Sequence, residues 1–579
     1  MAQQKLKKSA QTEPSREWNI FRTWSFWISS SFILTLKTLV VPMYHSTDFE
    51  VHRNWMAITH NLPMKVWYYE NTSEWTLDYP PLFAYFELLL GMVSVFQVAN
   101  RVVPSALIIQ KEAYFSKELL YFHRFSVIVC DLFYIISCGF LANTMHSIRF
   151  KGDRSKHCAM GLFLLLIANI TLILIDNIHF QYNSLLTTVL LLSISLALQE
   201  RFLLAAFMYC ILLNMKHIYL YYAFAYVLIY SFAYLLKTLD RSVISRCAKL
   251  AFSMCIPFLV SFGQFSVILL VGVFFVIMRQ IWIRKLITLG PFLWLGGIEL
   301  CSQIISRLFP FQRGLTHAYW APNLWALYNF IDLILYNLLK RFSKLSPAIN
   351  PPLYTSGLVQ EYPHSVLPSI NAHITLVVIL CLLSPSICIL MKQRRRFRDP
   401  NTFILLLTHS AFAFFLAGYH VHEKAVLLIT IPYTILAVLD HRFLPSFIVL
   451  STIANISIFP LFFTPFESIL KVTLMIFYHL FAICVANYCC KVKAAASSMM
   501  NIWQKLYLVF VFVIQCYCLL LHNLILGSRF EYIPLMLTSV SVAIGIVFVF
   551  VDFLWKGYCS IDPSLHCKCL TFKEKMKSS

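Results

Sequence analysis

The chain has 579 residues, 59% of them hydrophobic and only 13% charged, with a formal net charge of +21. Soluble domains of ordinary composition carry about 25% charged residues, so a string of soluble domains is excluded. Nucleic-acid binding is excluded as well: the basic residues sit in short loops between apolar runs, the pattern of topology signals, and form no basic face interleaved with aromatics.

The apolar residues fall in repeated runs of about 20, long enough to cross a bilayer as helix. Lipid offers the backbone no hydrogen-bond partner, and the alternation of a membrane barrel is missing. The expected fold class is therefore an all-α polytopic membrane protein. The 17 cysteines are scattered. The two tight pairs, Cys489-Cys490 and Cys567-Lys568-Cys569, lack a second pair at zinc-site spacing and read as free thiols.

Residues 1–22 are polar and basic (Lys5, Lys7, Lys8, Arg16, Arg22), hence cytosolic. Residues 24–41 form an uncleaved first span, too long for a signal-peptide core and without a clear cleavage site. The first lumenal loop, residues 44–117, contains the glycosylation acceptor Asn71-Thr72-Ser73. Within it, the short apolar stretch 83–98 is expected to lie on the membrane or re-enter it. The next span starts near Leu119 and ends before Arg149, Lys151, Arg154 and Lys156. The chain then reaches the lumen near Asp176, the cytosol near Glu200, the lumen at Lys216-His217, and the cytosolic cluster Lys237, Arg241, Arg246 and Lys249.

Residues 251–306 hold too many apolar residues for one span and are interrupted by Arg279, Arg284 and Lys285. A long polar stretch follows, residues 307–368. The arginines of Arg394-Arg395-Arg396-Phe397-Arg398 fix the end of the next span as cytosolic, so that stretch is lumenal, and so is His420. Five more spans bring the total to about 14, with both ends in the cytosol. The organisation is a basic N-terminus (residues 1–22), one polytopic membrane domain (23–556) and a basic tail (557–579). That tail ends Lys575-Met576-Lys577-Ser578-Ser579 and resembles the dilysine retrieval signal of endoplasmic-reticulum membrane proteins.

Five polar-aromatic clusters fall on the lumenal side: residues 47–55, 78–81, 176–183, 313–323 and 420–424. Carboxylates, histidines, Arg313 and Lys424 would suit an anionic substrate bearing hydroxyls, and Trp55, Tyr79, Tyr319 and Trp320 could stack on sugar rings. Any single ring has the simpler reading of a membrane-interface aromatic. No metal is expected: His420 and His422, two apart, do not share a helical face, and no His-Glu-x-x-His pattern is present. Charges at membrane depth are functional candidates by default. Arg124 and Asp131, seven apart on one helix, read as a bracing pair, and Lys37 as a residue that snorkels to the lumenal surface.

Together the clusters closely resemble the dolichyl-phosphate-glucose-dependent α-1,3-glucosyltransferases of N-glycan precursor assembly. The shared motifs are Asp48-Phe49-Glu50, Leu77-Asp78-Tyr79-Pro80-Pro81, His179-Phe180-Gln181-Tyr182-Asn183, Arg307-Leu308-Phe309-Pro310 and His422-Glu423-Lys424. Residues 49–55 and the run from Arg313-Gly314 to Asn323 resemble the branch that adds the second glucose. One departure stands out: Ser261-Phe262-Gly263 and Pro291-Phe292-Leu293, continuous in the family, are separated here by residues 264–290, an apparent insertion.

The resemblance implies a GT-C membrane fold and transfer from dolichyl-phosphate glucose to a lipid-linked oligosaccharide with inversion in the endoplasmic-reticulum lumen. No cofactor beyond the donor is implied, and protein partners are left unspecified. It makes Asp48 the catalytic base. Glu50, Arg53, Asp78, Tyr79, His179, Gln181, Arg313, His317, Tyr319, Trp320, His420, His422 and Lys424 are the expected substrate-binding residues. A first-glucose transferase, a mannosyltransferase of the same fold, a polytopic transporter and a non-catalytic scaffold are the alternative readings.

Overall fold

The computed structural model describes residues 18–93, 103–148, 154–238, 241–262, 292–309, 314–317, 319–342, 349–354, 362–392, 399–490, 500–527 and 529–561. Arg313, the apparent insertion 264–290 and most of both basic termini lie outside the described residues.

The described chain is helical, and among those residues the only bridge between extended segments pairs Thr316 with Val421. Among the described residues, eight helical stretches are long and apolar enough to cross a membrane, from Lys117–Ile148 to Tyr532–Gly557. The expected count of about 14 also takes in shorter apolar helices and residues outside the described ones. Phe202–Met215 has 14 residues and Leu427–Leu439 has 13, the latter with Pro432 inside it. At 1.5 Å per residue a helix of that length spans roughly 20 Å, so a crossing of a ~30 Å hydrocarbon layer takes flanking residues as well. Large apolar side chains such as Trp24, Phe133, Phe477 and Val513 face outward, as a bilayer-embedded surface requires.

Buried polar contacts fasten the helices that carry the site. The Lys37 ammonium is 1% exposed and meets Asp131 Oδ1 at 2.5 Å, while the Asn177 amide donates to Asp131 Oδ2 at 2.8 Å. Lys37 therefore does not snorkel, and Asp131 pairs with it rather than with Arg124. Arg124 instead donates to the carbonyls of Tyr44 (2.8 Å) and Ile178 (2.7 Å), tying the start of the first loop to the end of the Ser155–Phe180 stretch. A removed partner would leave a bare charge in a low-dielectric interior, so each pair pins its helices together.

Both stretches expected as long lumenal loops are folded over their described residues. In residues 44–117, Ser46 caps the Thr47–Asn61 helix by accepting from the Asp48 N–H. The Pro81–Val93 helix packs against it, in the stretch expected to lie on the membrane. The stretch 307–368, expected as a polar loop, contains an 18-residue helix, Leu324–Arg341. Asn323 caps that helix by accepting from the N–H groups of Trp325 and Ala326. It buries Trp325, Ala326, Asn329, Asp332 and Tyr336, spacings that fall on one face. Asp332 then accepts from the N–H groups of Ser365, Val366 and Leu367, folding the rest of the loop back onto the helix.

Candidate active site

Asp48 sits in the first turn of the Thr47–Asn61 helix, where unpaired N–H groups favour a negative charge. The turn is held in place by Ser46, whose N–H (3.1 Å) and hydroxyl (2.5 Å) both donate to the His179 carbonyl. His179 lies in a π-helical segment, Ile173–Phe180, that ends with Phe180 at φ 87°. A phenylalanine in the left-handed region is strained, and both that strain and π turns concentrate at functional sites. His420, at φ 54°, marks the other side. Its N–H donates to the Leu315 carbonyl and its Nδ1 to the Gly314 carbonyl, fastening residues 420–424 to residues 314–317.

These segments meet at the Asp48 carboxylate, whose side chain is 22% exposed. Its Oδ2 accepts from Lys424 Nζ at 2.8 Å and from Gln181 Nε2 at 2.6 Å, and lies 3.3 Å from His179 Nε2. Lys424 Nζ is also 3.2 Å from His179 Nε2. No described group bonds Oδ1. Burial raises the Asp48 carboxyl, but the Lys424 ammonium and His179 outweigh it and hold it well below the usual carboxylate range. Burial lowers Lys424, yet the neighbouring Asp48 and Glu423 carboxylates raise it above the usual ammonium value.

Asp48 opens onto a cavity of about 550 Å³. Asp78, Tyr79, Gln181, His420, His422 and Lys424 line it, as does Trp55. Three expected residues stand just behind: His179 on Asp48, His317 against His422 (ring centroids 4.1 Å apart), and Tyr319, half-buried, 6.0 Å from His317. The other three described residues do not line it. Arg53 is fully buried, pairs with Glu50 Oε1 at 2.5 Å and donates to the carbonyls of Ala106 and Ile108. Glu50 Oε2 accepts from the Tyr114 N–H. Glu50 and Arg53 thus close the first loop and do not line the cavity. Trp320 is 4% exposed and gives its indole N–H to the Tyr354 carbonyl, a packing role.

The structure also adds residues. Lys216 reaches the cavity between the Tyr79 ring (4.8 Å to its centroid) and Asn183 Oδ1 (3.2 Å). Burial, reinforced by Lys424, pushes its ammonium down to about 8. Sequence reasoning used it only to mark a span end, although a cation at that depth is itself the signal. Glu423 is the second addition: 1% exposed, it accepts no hydrogen bond from any described group and lies 3.6 Å from His317 Nδ1. Burial raises its carboxyl, and His317 outweighs that and lowers it below the usual range. Burial and His317 push the His422 imidazole well below its ordinary value, so it enters the site neutral. His317, His422 and Glu423 bring one ligand atom each within 4.8 Å of one another, close enough to share a metal ion. The spacing argument considered only His420 with His422 and could not see this trio, because His317 arrives from a distant segment.

A carboxylate, ammonium groups and aromatic walls are gathered at the ends of apolar helices, an arrangement suited to an enzyme embedded in a membrane. Residues 33–553 match the family described as "ALG6, ALG8 glycosyltransferase family". Three similar proteins bear the name dolichyl pyrophosphate Glc1Man9GlcNAc2 alpha-1,3-glucosyltransferase, in the fly case with the prefix "probable". The Caenorhabditis elegans protein is 38% identical over 91% of this chain and 65% of its own length. The Mus musculus protein is 37% identical over 89% of this chain and 92% of its own length. The Drosophila melanogaster protein is 37% identical over 91% of this chain and 93% of its own length. The chain belongs to the ALG6, ALG8 glycosyltransferase family. It is a multi-pass membrane glycosyltransferase that transfers a hexosyl unit.

Proposed function

We propose that this chain transfers glucose from dolichyl-phosphate glucose to the monoglucosylated arm of the dolichyl-diphosphate-linked oligosaccharide, forming an α-1,3 linkage with inversion. The site faces the lumen of the endoplasmic reticulum, in a GT-C fold with about 14 crossings and both termini in the cytosol. The names of the similar proteins support the substrate. The observation that carries the mechanism is the Asp48 carboxylate, which lines the cavity and is bonded by Gln181 and Lys424 through Oδ2, leaving Oδ1 without a partner among the described groups.

Inversion takes one in-line displacement. Asp48 Oδ1 accepts the proton of the acceptor hydroxyl as its oxygen bonds the anomeric carbon of glucose. The bond from that carbon to the phosphate oxygen breaks, and dolichyl phosphate leaves with the electron pair. Lys424 and Lys216 balance its charge, so no general acid is needed. A carboxylate held this far below its usual range is a weak base. Donor phosphate draws Lys424 toward itself, so Asp48 is most basic once the donor is bound. Trp55 and Tyr79 supply the walls for a sugar ring.

The test offers unglucosylated and monoglucosylated acceptors in parallel to the purified chain with dolichyl-phosphate glucose. Transfer to the monoglucosylated acceptor alone is expected; transfer only to the other would reassign the branch. Asp48→Asn is expected to abolish transfer while the protein stays inserted and folded, and full activity would remove Asp48 as the base. The charge comes from lysine, so chelation is expected to leave turnover unchanged. A loss restored by a divalent ion would assign a metal to His317, His422 and Glu423.

A further inference from the structure

Gln181 has two chemically opposite ends, and which one faces Asp48 decides how the base works. The rest of the network fixes that choice. Lys216 Nζ can only donate, and it donates to Asn183 Oδ1 at 3.2 Å. Asn183 must therefore present its Nδ2 the other way. There it donates to Asp176 Oδ1 at 2.9 Å and to Gln181 Oε1 at 2.7 Å. Asp176, fully buried, is itself held by the Ser184 N–H on Oδ2 at 2.6 Å. With Oε1 engaged by Asn183, Gln181 can offer only Nε2 to Asp48, and it does so at 2.6 Å on Oδ2. Lys424 shares that oxygen. Turned round, Gln181 would place a carbonyl oxygen against the carboxylate, and the carboxylate would rotate away from its Lys424 bond.

We propose that Asn183, clamped between Asp176 and Lys216, is a positioning residue: it sets the Gln181 amide so that Asp48 keeps Oδ2 engaged and presents Oδ1 to the acceptor hydroxyl. This rests on Asp48 as the base. The device acts on geometry at the reacting oxygen, so it bears on turnover rather than on affinity. A base displaced by about 1 Å costs on the order of 100-fold in rate.

The experiment is a double-mutant cycle on the purified full chain, with kcat and both substrate KM values read for Asn183→Leu, Gln181→Leu and the pair. Each single variant is expected to lower kcat about 10- to 100-fold, with both KM values within about twofold of the parent. The pair is expected to fall well short of the product of the two single losses, because what Asn183 does through Gln181 is already lost in Gln181→Leu. A KM increase at unchanged kcat would mean that Asn183 touches substrate, and would overturn the proposal. Multiplying kcat losses in the pair would overturn it too. Should Asn183→Leu fail to insert, Asn183→Ser, which removes the amide with less bulk, is read the same way. Asp48→Asn is assayed beside them. If it is inactive while the cycle is additive, only the positioning role falls. If it is active, the reading of Asp48 as the base falls first.

Discussion

Arg53 and Lys216, two cations near the site, do different jobs. Arg53 is fully buried, with its guanidinium spent on Glu50 and two loop carbonyls. Truncating one partner of such a pair leaves an uncompensated buried charge. Arg53→Ala is therefore expected to destabilise the protein by about 3–5 kcal/mol, read as a lower Tm in detergent. Lys216 bears on activity instead. Its ammonium is held down to about 8, among Lys424, Asp176, Asp48 and Asp78, so the charge it offers a donor phosphate is present below that pH and lost above it. Turnover is expected to decline as pH rises through about 8. Lys216→Arg, whose guanidinium stays protonated, moves the decline to higher pH. An unshifted profile would assign it to another group. Asp48 has the opposite sign: its folded value lies below the ordinary one, so its pair with Lys424 is intact above the usual carboxylate range. That pair is lost only as pH falls well below that range.

At the scale of elements, the Leu324–Arg341 helix shows how a cap and one buried face suffice to order a loop. Its outer face keeps Ile331, Ile334 and Leu338 exposed, so apolarity alone does not mark which side is inside. The buried side carries Asn329 and Asp332, polar residues that a hydropathy reading sends outward. Asn323→Ala removes the acceptor for two helix N–H groups and is expected to cost about 1 kcal/mol. Asp332→Ala frees three backbone N–H groups of residues 365–367. Faster proteolysis within that loop, with the membrane helices intact, is the expected result. Unchanged cleavage would show that Asp332 does not hold the loop.

For the whole molecule, the site constrains topology. Asp48 follows the first apolar helix, Gln181 ends the Ser155–Phe180 stretch, Lys216 follows Phe202–Met215, and Lys424 follows Pro400–Ala417. Their side chains meet in one cavity, so those four helix ends share one face. The basic loops stand at the opposite ends of the same helices. In sealed microsomes, a membrane-impermeant maleimide is expected to label the exposed Cys247, beside the cytosolic cluster. A cysteine placed by Asn71→Cys, at an exposed loop position, should react only after permeabilisation. Labelling of position 71 in sealed vesicles would invert the assignment.

The sequence by itself determined the helical membrane class and the family, because apolar run length and short motifs are local properties. Asp48, Gln181 and Lys424 were legible for that reason. Tertiary structure decided the rest, because partners arrive from segments far apart in the chain. It gave Asp131 to Lys37 rather than to Arg124, and placed Glu50 and Arg53 in a loop clasp off the cavity. It brought Lys216 and Asn183 to the cavity and set Glu423 beside His317. Spacing along the chain cannot reveal which of two clusters a side chain faces; only the packing of distant helix ends against one carboxylate does.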